Sequence, residues 1–268
     1  MKEIKSVDNE IVKLVEGLKK AKNRKELGLF LVDGKRETLL AMKAKKKIAY
    51  LFFCIEKSTI KEEEKESLFA EIHKAKGEII IISEKILNKI TFKENPEEIV
   101  SVFKEEAIEL KDLKEEDKSL LIILEGVEKP GNIGAIIRTA YAAGIKNIIL
   151  NNCPGDIYNP NTIRASEGLI FFMNIIKESP ENTVKWLKKN EIKVFAAETK
   201  AKMIYSEANY KEQSAILLGS EAKGLSDFWL DQADERIKIP MKLEVDSLNI
   251  SVSAAILIYE AIKQRGFK

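Results

Sequence analysis

The sequence is poor in the residues that build several common kinds of site. Its 268 residues include one histidine, His73, which excludes catalytic triads and zinc sites that need several histidines. The two cysteines, Cys54 and Cys153, lie far apart and form no CxxC pattern. They are therefore interpreted as structural thiols rather than a disulfide or metal ligands. We predict no metal, and we expect His73 at the surface because it lies in a polar helical stretch.

Long apolar runs are also missing. No run approaches the roughly 18 residues that cross a membrane, and the first residues lack the apolar core of a signal peptide. We therefore expect a soluble, cytoplasmic protein that has no membrane partner. Apolar residues make up 45% of the chain, which is ample for packed cores, and a length prior of about 150 residues per domain suggests two domains.

The net charge of +2 is unevenly distributed. Residues 1–50 contain 14 lysines or arginines against 7 acidic residues, whereas residues 104–118 contain 4 lysines against 7 acidic residues. The basic segment suits contact with a phosphate backbone, and a solvated basic face is an equally good explanation. The acidic segment contains no glycine or proline, and we interpret residues 106–118 as a linker.

The first 105 residues alternate between strand and helix patterns, which predicts a small α/β domain. Residues 8–20 have helical periodicity and lead into a basic turn. The predicted strands are residues 29–34, 48–55 and 78–83. The predicted helices are residues 35–45, 60–76 and 83–91.

Residues 119–268 alternate in the same way and predict a mainly parallel sheet with crossover helices. The predicted strands are residues 120–124, 147–150, 169–176, 193–198, 214–219 and 236–239. The predicted helices are residues 132–143, 160–168, 184–190 and a final helix from about residue 250. Gly144 is the expected stop of the first of these helices.

The first of three unusual stretches, EGVEKPGNIGAIIRTAYAAG, covers residues 125–144. Asn132 is the predicted N-cap of the helix, and Arg138 follows two small residues, Gly134 and Ala135, on the same side. Because helical side chains lean toward the N-terminus, Arg138 is predicted to fold back beside Asn132, where it could bind a phosphate. An ordinary exposed arginine is the alternative.

The second stretch, ILLGSEAKGLSD, covers residues 216–227. Its glycines resemble those of a P-loop, but Leu225 stands where the lysine is required, so an ATPase is excluded. No GxGxxG follows a strand either, so a dinucleotide site has no support. What remains is a strand that ends at Gly219, where a ligand can approach the backbone, with Glu221 just beyond. A surface turn is the alternative.

The third stretch is IPMKLEVDSLNISVSAAILIYE, residues 239–260. Pro240 ends a strand, and Ser247 and Asn249 are suitable N-caps for the final apolar helix, whose N-terminus favours negative charge. Taken alone, this is an ordinary helix cap. All three stretches, however, follow apolar strands, and ligands of open α/β sheets bind at the carboxyl ends of strands.

Together, GNIGAIIRTA, LLGSEAKGLS and IPM…SLNISVSAA resemble the signature motifs of the SpoU/TrmH branch of the SPOUT RNA methyltransferases. The resemblance covers residues 119–265. It implies a parallel sheet whose C-terminal part forms a deep trefoil knot, S-adenosyl-methionine (AdoMet) bound in that knot, and a homodimer formed through the C-terminal domain.

Carried over by position, the resemblance implies two sets of residues. The catalytic set is Asn132, Arg138, Glu221, Ser247 and Asn249. The cofactor-binding set is Gly219, Ile239, Met241 and Leu248. The chain departs from the family at Leu243, where a glycine is usual, and the loop is consequently bulkier and more acidic than expected.

The N-terminal region resembles the L30e-like substrate-binding domain that precedes many SpoU-type catalytic domains. The matching features are Asn9, Lys13, residues 19–34 and Arg36. The chain has Asp33 where family members usually have glutamate. The resemblance implies that three basic residues contact RNA phosphates: Lys20, Arg24 and Arg36.

The implied reaction is 2'-O-methylation of a ribose, with 23S rRNA as the expected substrate. The alternatives are a tRNA 2'-O-methyltransferase and a catalytically inactive RNA-binding protein, for which Leu243 is the only support. The N-terminal domain favours rRNA because tRNA enzymes of this branch more often have short extensions. The family argument assigns Arg138 a part in deprotonating the hydroxyl. Since arginine normally stays protonated, stabilising the forming alkoxide and fixing a phosphate are easier roles for it.

Overall fold

A computed structural model describes residues 2–114 and 119–266. The chain divides into two units. The first runs to Glu106 and also includes Tyr158–Arg164, and the second comprises the described parts of Ala107–Ile157 and Ala165–Lys268. The last four residues of the predicted linker, 115–118, lie outside the described residues.

The first unit is built on a mixed five-stranded sheet. Its strands are β1 (Lys2–Ile4), β2 (Leu29–Asp33), β3 (Ile48–Cys54), β4 (Glu78–Ile82) and β5 (Ile99–Lys104). Its helices are α1 (Glu10–Gly17), α2 (Ala21–Leu27), α3 (Lys35–Lys43), α4 (Glu62–Lys74) and α5 (Glu84–Ile90). The sheet order is β1-β4-β3-β5-β2, in which β4 pairs in parallel and β5 antiparallel with its neighbours. Apolar side chains of α1 and α5 pack on this sheet.

The α/β character predicted for the first unit is confirmed, and three strands and His73 at the surface are as expected. Three elements were missed, one of which is the edge strand β1 of only three residues. Strand β5 is a short apolar run, which periodicity does not distinguish from a piece of buried helix. The stretch interpreted as a basic turn contains helix α2, which ends at Gly28 with a φ of 60°.

One segment from the middle of the chain belongs to the first unit. Within Tyr158–Arg164, the ring of Tyr158 stacks on Phe30, with centroids 3.9 Å apart and planes 5° from parallel. Both side chains are buried. Stacked aromatic pairs add to the hydrophobic gain of burial, and the contact explains why this segment separates from its sequence neighbours.

The second unit is built on a seven-stranded sheet. Its strands are β6 (Leu120–Glu125), β7 (Asn147–Asn151), β8 (Asn174–Glu178), β9 (Lys193–Ala197), β10 (Met203–Ile204), β11 (Ser214–Gly219) and β12 (Glu235–Lys238). The helices in this half of the chain are α6 (Pro130–Ala142), α7 (Pro160–Ala165), α8 (Pro180–Lys189), α9 (Asp227–Gln232) and α10 (Ile250–Arg265). The order is β10-β12-β9-β11-β6-β7-β8, and every pairing is parallel. The predicted parallel sheet is confirmed.

Three local predictions in the second unit are wrong. Residues 169–172 form a 3-10 helix after Gly168, so the strand predicted over 169–176 begins only at Asn174. The loop after β11 contains α9, capped by the Ser226 hydroxyl. Asn132 is not an N-cap, because α6 already begins at Pro130, and proline is favoured in the first helical turn, where no N–H is needed.

The sheet and its last helix position the site. Gly219, the last residue of β11, lies opposite Glu125, the last residue of β6, in the parallel register. The loops that leave these strands therefore start side by side. Asn249 caps α10 through its side chain, which accepts from the Ser251 N–H at 2.9 Å. This confirms the predicted start of the helix and brings its N-terminus to the same edge.

Candidate active site

Three polar side chains from three separate elements meet at the carboxyl edge of the second sheet. Glu221 Oε1 accepts from Asn132 Nδ2 at 2.7 Å and from Asn249 Nδ2 at 3.0 Å. Asn249 Nδ2 also lies 3.3 Å from Asn132 Oδ1. We call these three residues the amide–carboxylate cluster. Each comes from a different one of the three stretches singled out in the sequence.

The loop that carries Glu221 is tightly folded. The Gly224 N–H donates to the Ser220 carbonyl at 2.8 Å. A Cβ on Gly219 would lie 2.2 Å from the Gly224 carbonyl carbon, so only glycine fits at this position. Gly224 itself has a φ of +68°. The end of β11 and the loop beyond it are thus in direct backbone contact.

A buried carboxylate anchors the far end of this loop. Glu125 accepts from the Ser226 N–H at 2.8 Å and from the Ser226 hydroxyl at 2.7 Å. Its residue surface is 7% exposed. Charge-assisted hydrogen bonds of this kind are stronger than neutral ones, so β6 holds the loop that follows β11. Sequence analysis missed this role, because a glutamate at the end of an apolar strand has no feature that distinguishes it from other strand ends.

A cavity of about 500 Å³ opens beside the cluster. All four residues of the predicted cofactor set line it: Gly219, Ile239, Met241 and Leu248. Ser247 and Glu221 line it as well. In the described part of the chain, no hydrogen bond joins Ser247 to the amide–carboxylate cluster. The structure therefore brings Ser247 to the cavity and leaves it out of the cluster.

A second cavity of about 670 Å³ shares part of its wall with the first. Asn132 and Lys129 line it, and Ser220, Glu221 and residues 223–225 line both cavities. Glu221 thus lies between two spaces of the size that small ligands occupy. Such an arrangement can place two reactants on either side of one polar cluster.

The charge on Glu221 has a direct partner. Lys129 Nζ lies 2.5 Å from Glu221 Oε2. This hydrogen bond from Lys129, aided by the one from Asn132, holds the pKa of Glu221 below its usual value, although desolvation opposes the shift. Sequence analysis missed Lys129, because a lysine before Pro-Gly-Asn has no feature that distinguishes it from other surface lysines.

Arg138 does not join the cluster. Its Nη1 atom lies 2.6 Å from Glu167 Oε1, and 55% of the arginine side chain is exposed. The expectation that it folds back beside Asn132 is wrong for this conformation. The small residues Gly134 and Ala135 do not constrain the direction of the Arg138 side chain. The side chain instead points toward Glu167, an acidic partner 29 positions later in the sequence. The sequence did not reveal that partner.

The predicted RNA contacts of the first unit divide into two kinds. Lys20 and Arg36 are exposed. Arg24 is only 2% exposed, and its Nη1 donates to the carbonyls of Leu18 at 2.5 Å and Lys19 at 3.1 Å. Arg24 is therefore a structural residue that joins α1 to α2, and its predicted phosphate contact is wrong.

Two departures from the family pattern have clear positions. The Asp33 carboxylate accepts from the Thr91 hydroxyl and the Phe92 N–H, both at 3.0 Å, and so holds the segment after α5. Burial raises the pKa of Asp33. Leu243 is fully exposed, in the loop between β12 and α10. It makes no buried contact that would close either cavity.

Residues 2–114 and 119–266 contain both cysteines and the histidine of the chain. Within those ranges, no group of three histidine, cysteine or acidic side chains is arranged to hold a metal. None of the described helices is both long and apolar enough to cross a membrane. Cys54 and Cys153 are free thiols, and burial raises the pKa of both, that of Cys153 to about 11.

A parallel α/β sheet with converging polar loops and a cavity at its carboxyl edge defines an α/β ligand-binding domain. Residues 119–259 match the SpoU rRNA Methylase family. The chain belongs to that family, as the three motifs predicted. Residues 9–101 match the MRM3-like substrate binding domain, which agrees with the substrate-binding domain expected ahead of the catalytic one.

Individual relatives are similar over nearly the whole chain. The 23S rRNA (guanosine(2553)-2'-O)-methyltransferase RlmP of Bacillus subtilis (strain 168) is 27% identical over 259 residues, covering 97% of this chain and 98% of the relative. The AdoMet-bound rRNA methyltransferase from Sinorhizobium meliloti has a TM-score of 0.90 at 29% identity, over 98% of this chain and 97% of that one. The SpoU methyltransferase AviRb from Streptomyces viridochromogenes, in complex with AdoMet, has a TM-score of 0.87 at 26% identity, over 96% and 98%.

Proposed function

We propose that the protein transfers a methyl group from AdoMet to a ribose 2'-hydroxyl of rRNA, with 23S rRNA as the substrate molecule. The observation that carries this conclusion is the meeting of Asn132, Glu221 and Asn249 beside a cavity that contains every residue of the predicted cofactor set. Membership of the SpoU family and likeness to AdoMet-bound rRNA methyltransferases support it.

The first cavity suits AdoMet in size and chemistry. Its volume of about 500 Å³ lies within the usual range of roughly 300–1,000 Å³ for small-molecule sites. Leu248 and Ile239 offer apolar surface to an adenine ring, and Gly219 contributes its backbone to the cavity wall. Glu198, Lys200 and Asp246 also line the cavity and offer charge to the amino and carboxylate groups of a methionine moiety.

The bound cofactor supplies a methyl group already activated by a positive sulfur. The ribose oxygen forms a bond to the methyl carbon, the carbon–sulfur bond breaks, the sulfur keeps the electron pair, and the hydroxyl proton passes to water. Asn132 and Asn249 fix the edge of the second cavity, and Glu221 orients both amides. Ser247, on the cavity wall, is placed to hydrogen-bond either reactant. These contributions are mainly positioning and electrostatic stabilisation.

Arg138 is assigned to the RNA phosphate next to the target ribose. A guanidinium binds phosphate with two parallel hydrogen bonds, and more than half of the Arg138 side chain is accessible. To act there, it exchanges its present partner, Glu167, for the RNA. Stabilising the forming alkoxide is the second part of this role.

The first unit is assigned to RNA binding. Lys20 and Arg36 are exposed and are proposed to contact phosphates, which position an RNA without reading its sequence. The match to a substrate-binding domain supports this assignment. A homodimer through the C-terminal domain and a trefoil knot in it are the remaining parts of the proposal, and both rest on the family resemblance.

The test is the transfer of labelled methyl from AdoMet to unmodified 23S rRNA and to tRNA in separate reactions, followed by mapping of the labelled nucleotide. We expect a 2'-O-methyl group on one 23S rRNA nucleotide. Label on tRNA alone would establish the tRNA alternative, and label on a base would refute the mechanism. AdoMet binding without transfer to rRNA, tRNA or ribosomal subunits would establish the inactive RNA-binding alternative.

A further inference from the structure

We propose that Lys129 is a positioning residue that holds Glu221 in its ionised form and thereby keeps Asn132 and Asn249 turned toward one carboxylate. The inference rests on the proposed function, and it concerns a residue outside the predicted catalytic set. It also assigns the loop before α6 a part in forming the cofactor cavity.

The first step is the contact itself. Glu221 uses its two oxygens for different partners: Oε2 binds Lys129, whereas Oε1 accepts from both amides. Only 27% of the Glu221 side chain is exposed, against 72% of the Lys129 side chain. The Glu221 carboxylate is thus at the surface but less accessible than its lysine partner. The lysine, by contrast, reaches it from solvent.

The second step concerns the direction of the hydrogen bonds. An ionised carboxylate only accepts, so it fixes both asparagines with their NH₂ groups toward Glu221. A protonated Glu221 is a weaker acceptor and donates from one oxygen. The two amides would then lose the charge that orients them. Because the amide is held with its NH₂ toward Glu221, Asn249 Oδ1 faces the N–H and hydroxyl of Ser251.

The third step connects this orientation to the cavity. Asn249 is the N-cap of α10, and Ile250, Ser253 and Leu257 of α10 line the first cavity. A helix cap stabilises its helix by about 1 kcal/mol. Loss of the Glu221 charge would therefore weaken the Asn249 cap and so affect the part of α10 that lines the first cavity. Lys129 lies at the start of this chain of contacts.

Other charged groups near Glu221 do not replace Lys129. Lys223 lines both cavities, but among the described residues the ion pair of Glu221 is with Lys129. Glu125 and Glu128 line the second cavity and Asp246 the first, and none of the three offers a positive charge to Glu221. Removal of Lys129 would leave Glu221 with hydrogen bonds from Asn132, Asn249 and the Ile250 N–H but without a paired cation, so the pKa of Glu221 would return toward its usual value.

The experiment compares wild type with Lys129→Met, Lys129→Arg and the control Lys146→Met. Lys146 is exposed and precedes β7 at the opposite end of the strands. Two quantities are measured between about pH 3.5 and 8, a range that includes the ordinary glutamate pKa of about 4.3: the AdoMet dissociation constant by calorimetry, and the single-turnover rate of methyl transfer. Circular dichroism at each pH checks that the variants stay folded.

We expect Lys129→Met to bind AdoMet within about twofold of wild type at pH 8 and about threefold more weakly than wild type near pH 4, where a glutamate of ordinary pKa is mostly protonated. The acidic limb of its rate profile should move to higher pH, since Glu221 then protonates earlier. Lys129→Arg and Lys146→Met should follow wild type. In a Glu221→Gln background, Lys129→Met should produce no further shift.

An acidic limb and a binding profile identical to wild type in Lys129→Met would overturn the inference. So would a raised KM for RNA with an unchanged acidic limb, because Lys129 would then be a phosphate contact only. If wild type binds AdoMet and transfers no methyl group, the proposed function fails, and the pH dependence of AdoMet binding still tests Lys129 on its own.

Discussion

Arg138 and Glu167 form an ion pair in which Arg138 Nη1 lies 2.6 Å from Glu167 Oε1. Glu167 has a φ of 51°, in the left-handed region that few side chains adopt, and Gly168 follows with a φ of 76°. The backbone turn thus places the carboxylate against α6. An exposed pair of this kind contributes about 0–1 kcal/mol, so a phosphate that forms two hydrogen bonds can displace it. In the role proposed for Arg138, Glu167 would compete with the RNA phosphate for the guanidinium.

Replacement of Glu167 by glutamine should strengthen RNA binding. The change removes the charge and keeps the shape, so Arg138 becomes available without an ion pair to break. We expect the KM for rRNA to fall by about two- to fivefold, the equivalent of up to about 1 kcal/mol, with kcat unchanged. Steady-state methyl transfer at moderate ionic strength measures both constants.

Glu191→Gln is the matched control, because Glu191 is also an exposed glutamate, with a φ of 53°. It should leave the KM unchanged. The effect of Glu167→Gln should also disappear when Arg138 is replaced by alanine. A lower KM in both single variants would show that general negative charge, rather than the Arg138 pair, opposes RNA binding.

The broad features of this protein followed from local sequence signals. Apolar strands ending in small and polar residues predicted the parallel sheet, and N-cap chemistry placed the start of α10 at Asn249. Signals of this type lie within a few residues of the feature they predict. The four residues of the predicted cofactor set came from the family resemblance, and they lie around one cavity because they belong to the end of β11 and to the segment between β12 and α10.

Contacts between distant residues did not follow from the sequence. Lys129 meets Glu221 and Arg138 meets Glu167 through ion pairs that leave no local pattern. Arg24 is a further example. Its basic sequence context predicted an exposed side chain, whereas the structure buries it. The position of the end of a long flexible side chain depends on which residues the tertiary structure brings near it. Local sequence does not contain that information.

Substitutions of Arg24 and Lys20 should therefore have different effects: the first should lower stability, and the second should weaken RNA binding. Arg24→Ala leaves the carbonyls of Leu18 and Lys19 without their donor, and we expect a loss of about 2–4 kcal/mol in the free energy of unfolding. Lys20 is exposed, so Lys20→Ala should change that free energy by less than about 0.5 kcal/mol. It should still weaken RNA binding and reduce its salt dependence.

Urea unfolding and filter-binding titrations at two or more salt concentrations measure these quantities. A stable Arg24→Ala protein with weakened RNA binding would restore Arg24 as a phosphate contact. Unchanged RNA binding in Lys20→Ala would remove that residue from the proposed interface.

Gly219 should tolerate no side chain. The added Cβ of Gly219→Ala would lie 2.2 Å from the Gly224 carbonyl carbon and 2.4 Å from the Leu225 nitrogen, and backbone atoms cannot turn aside. The loop with Glu221 must shift, at a cost of about 1–3 kcal/mol, so AdoMet binding should weaken by about tenfold or more. The control is Gly155→Ala, whose Cβ would have its nearest contact at 3.8 Å. Equal AdoMet affinity in both variants would place the cofactor away from this loop.

Substitution of Leu243 tests whether the protein is an active enzyme or an inactive RNA-binding protein. It occupies the position where the family usually has glycine, yet its side chain is fully exposed and lines neither cavity. The loop around it contains a single turn, in which the Val245 N–H donates to the Lys242 carbonyl at 3.0 Å. Leu243→Gly removes no packing, so we expect AdoMet affinity and the methyl-transfer rate to stay within about twofold of wild type. Calorimetry and single-turnover transfer measure the two. If Leu243→Gly improves the AdoMet affinity or the methyl-transfer rate by tenfold or more, Leu243 obstructs the site. The departure from the family pattern would then lower activity, in a way that the exposed position of Leu243 does not explain.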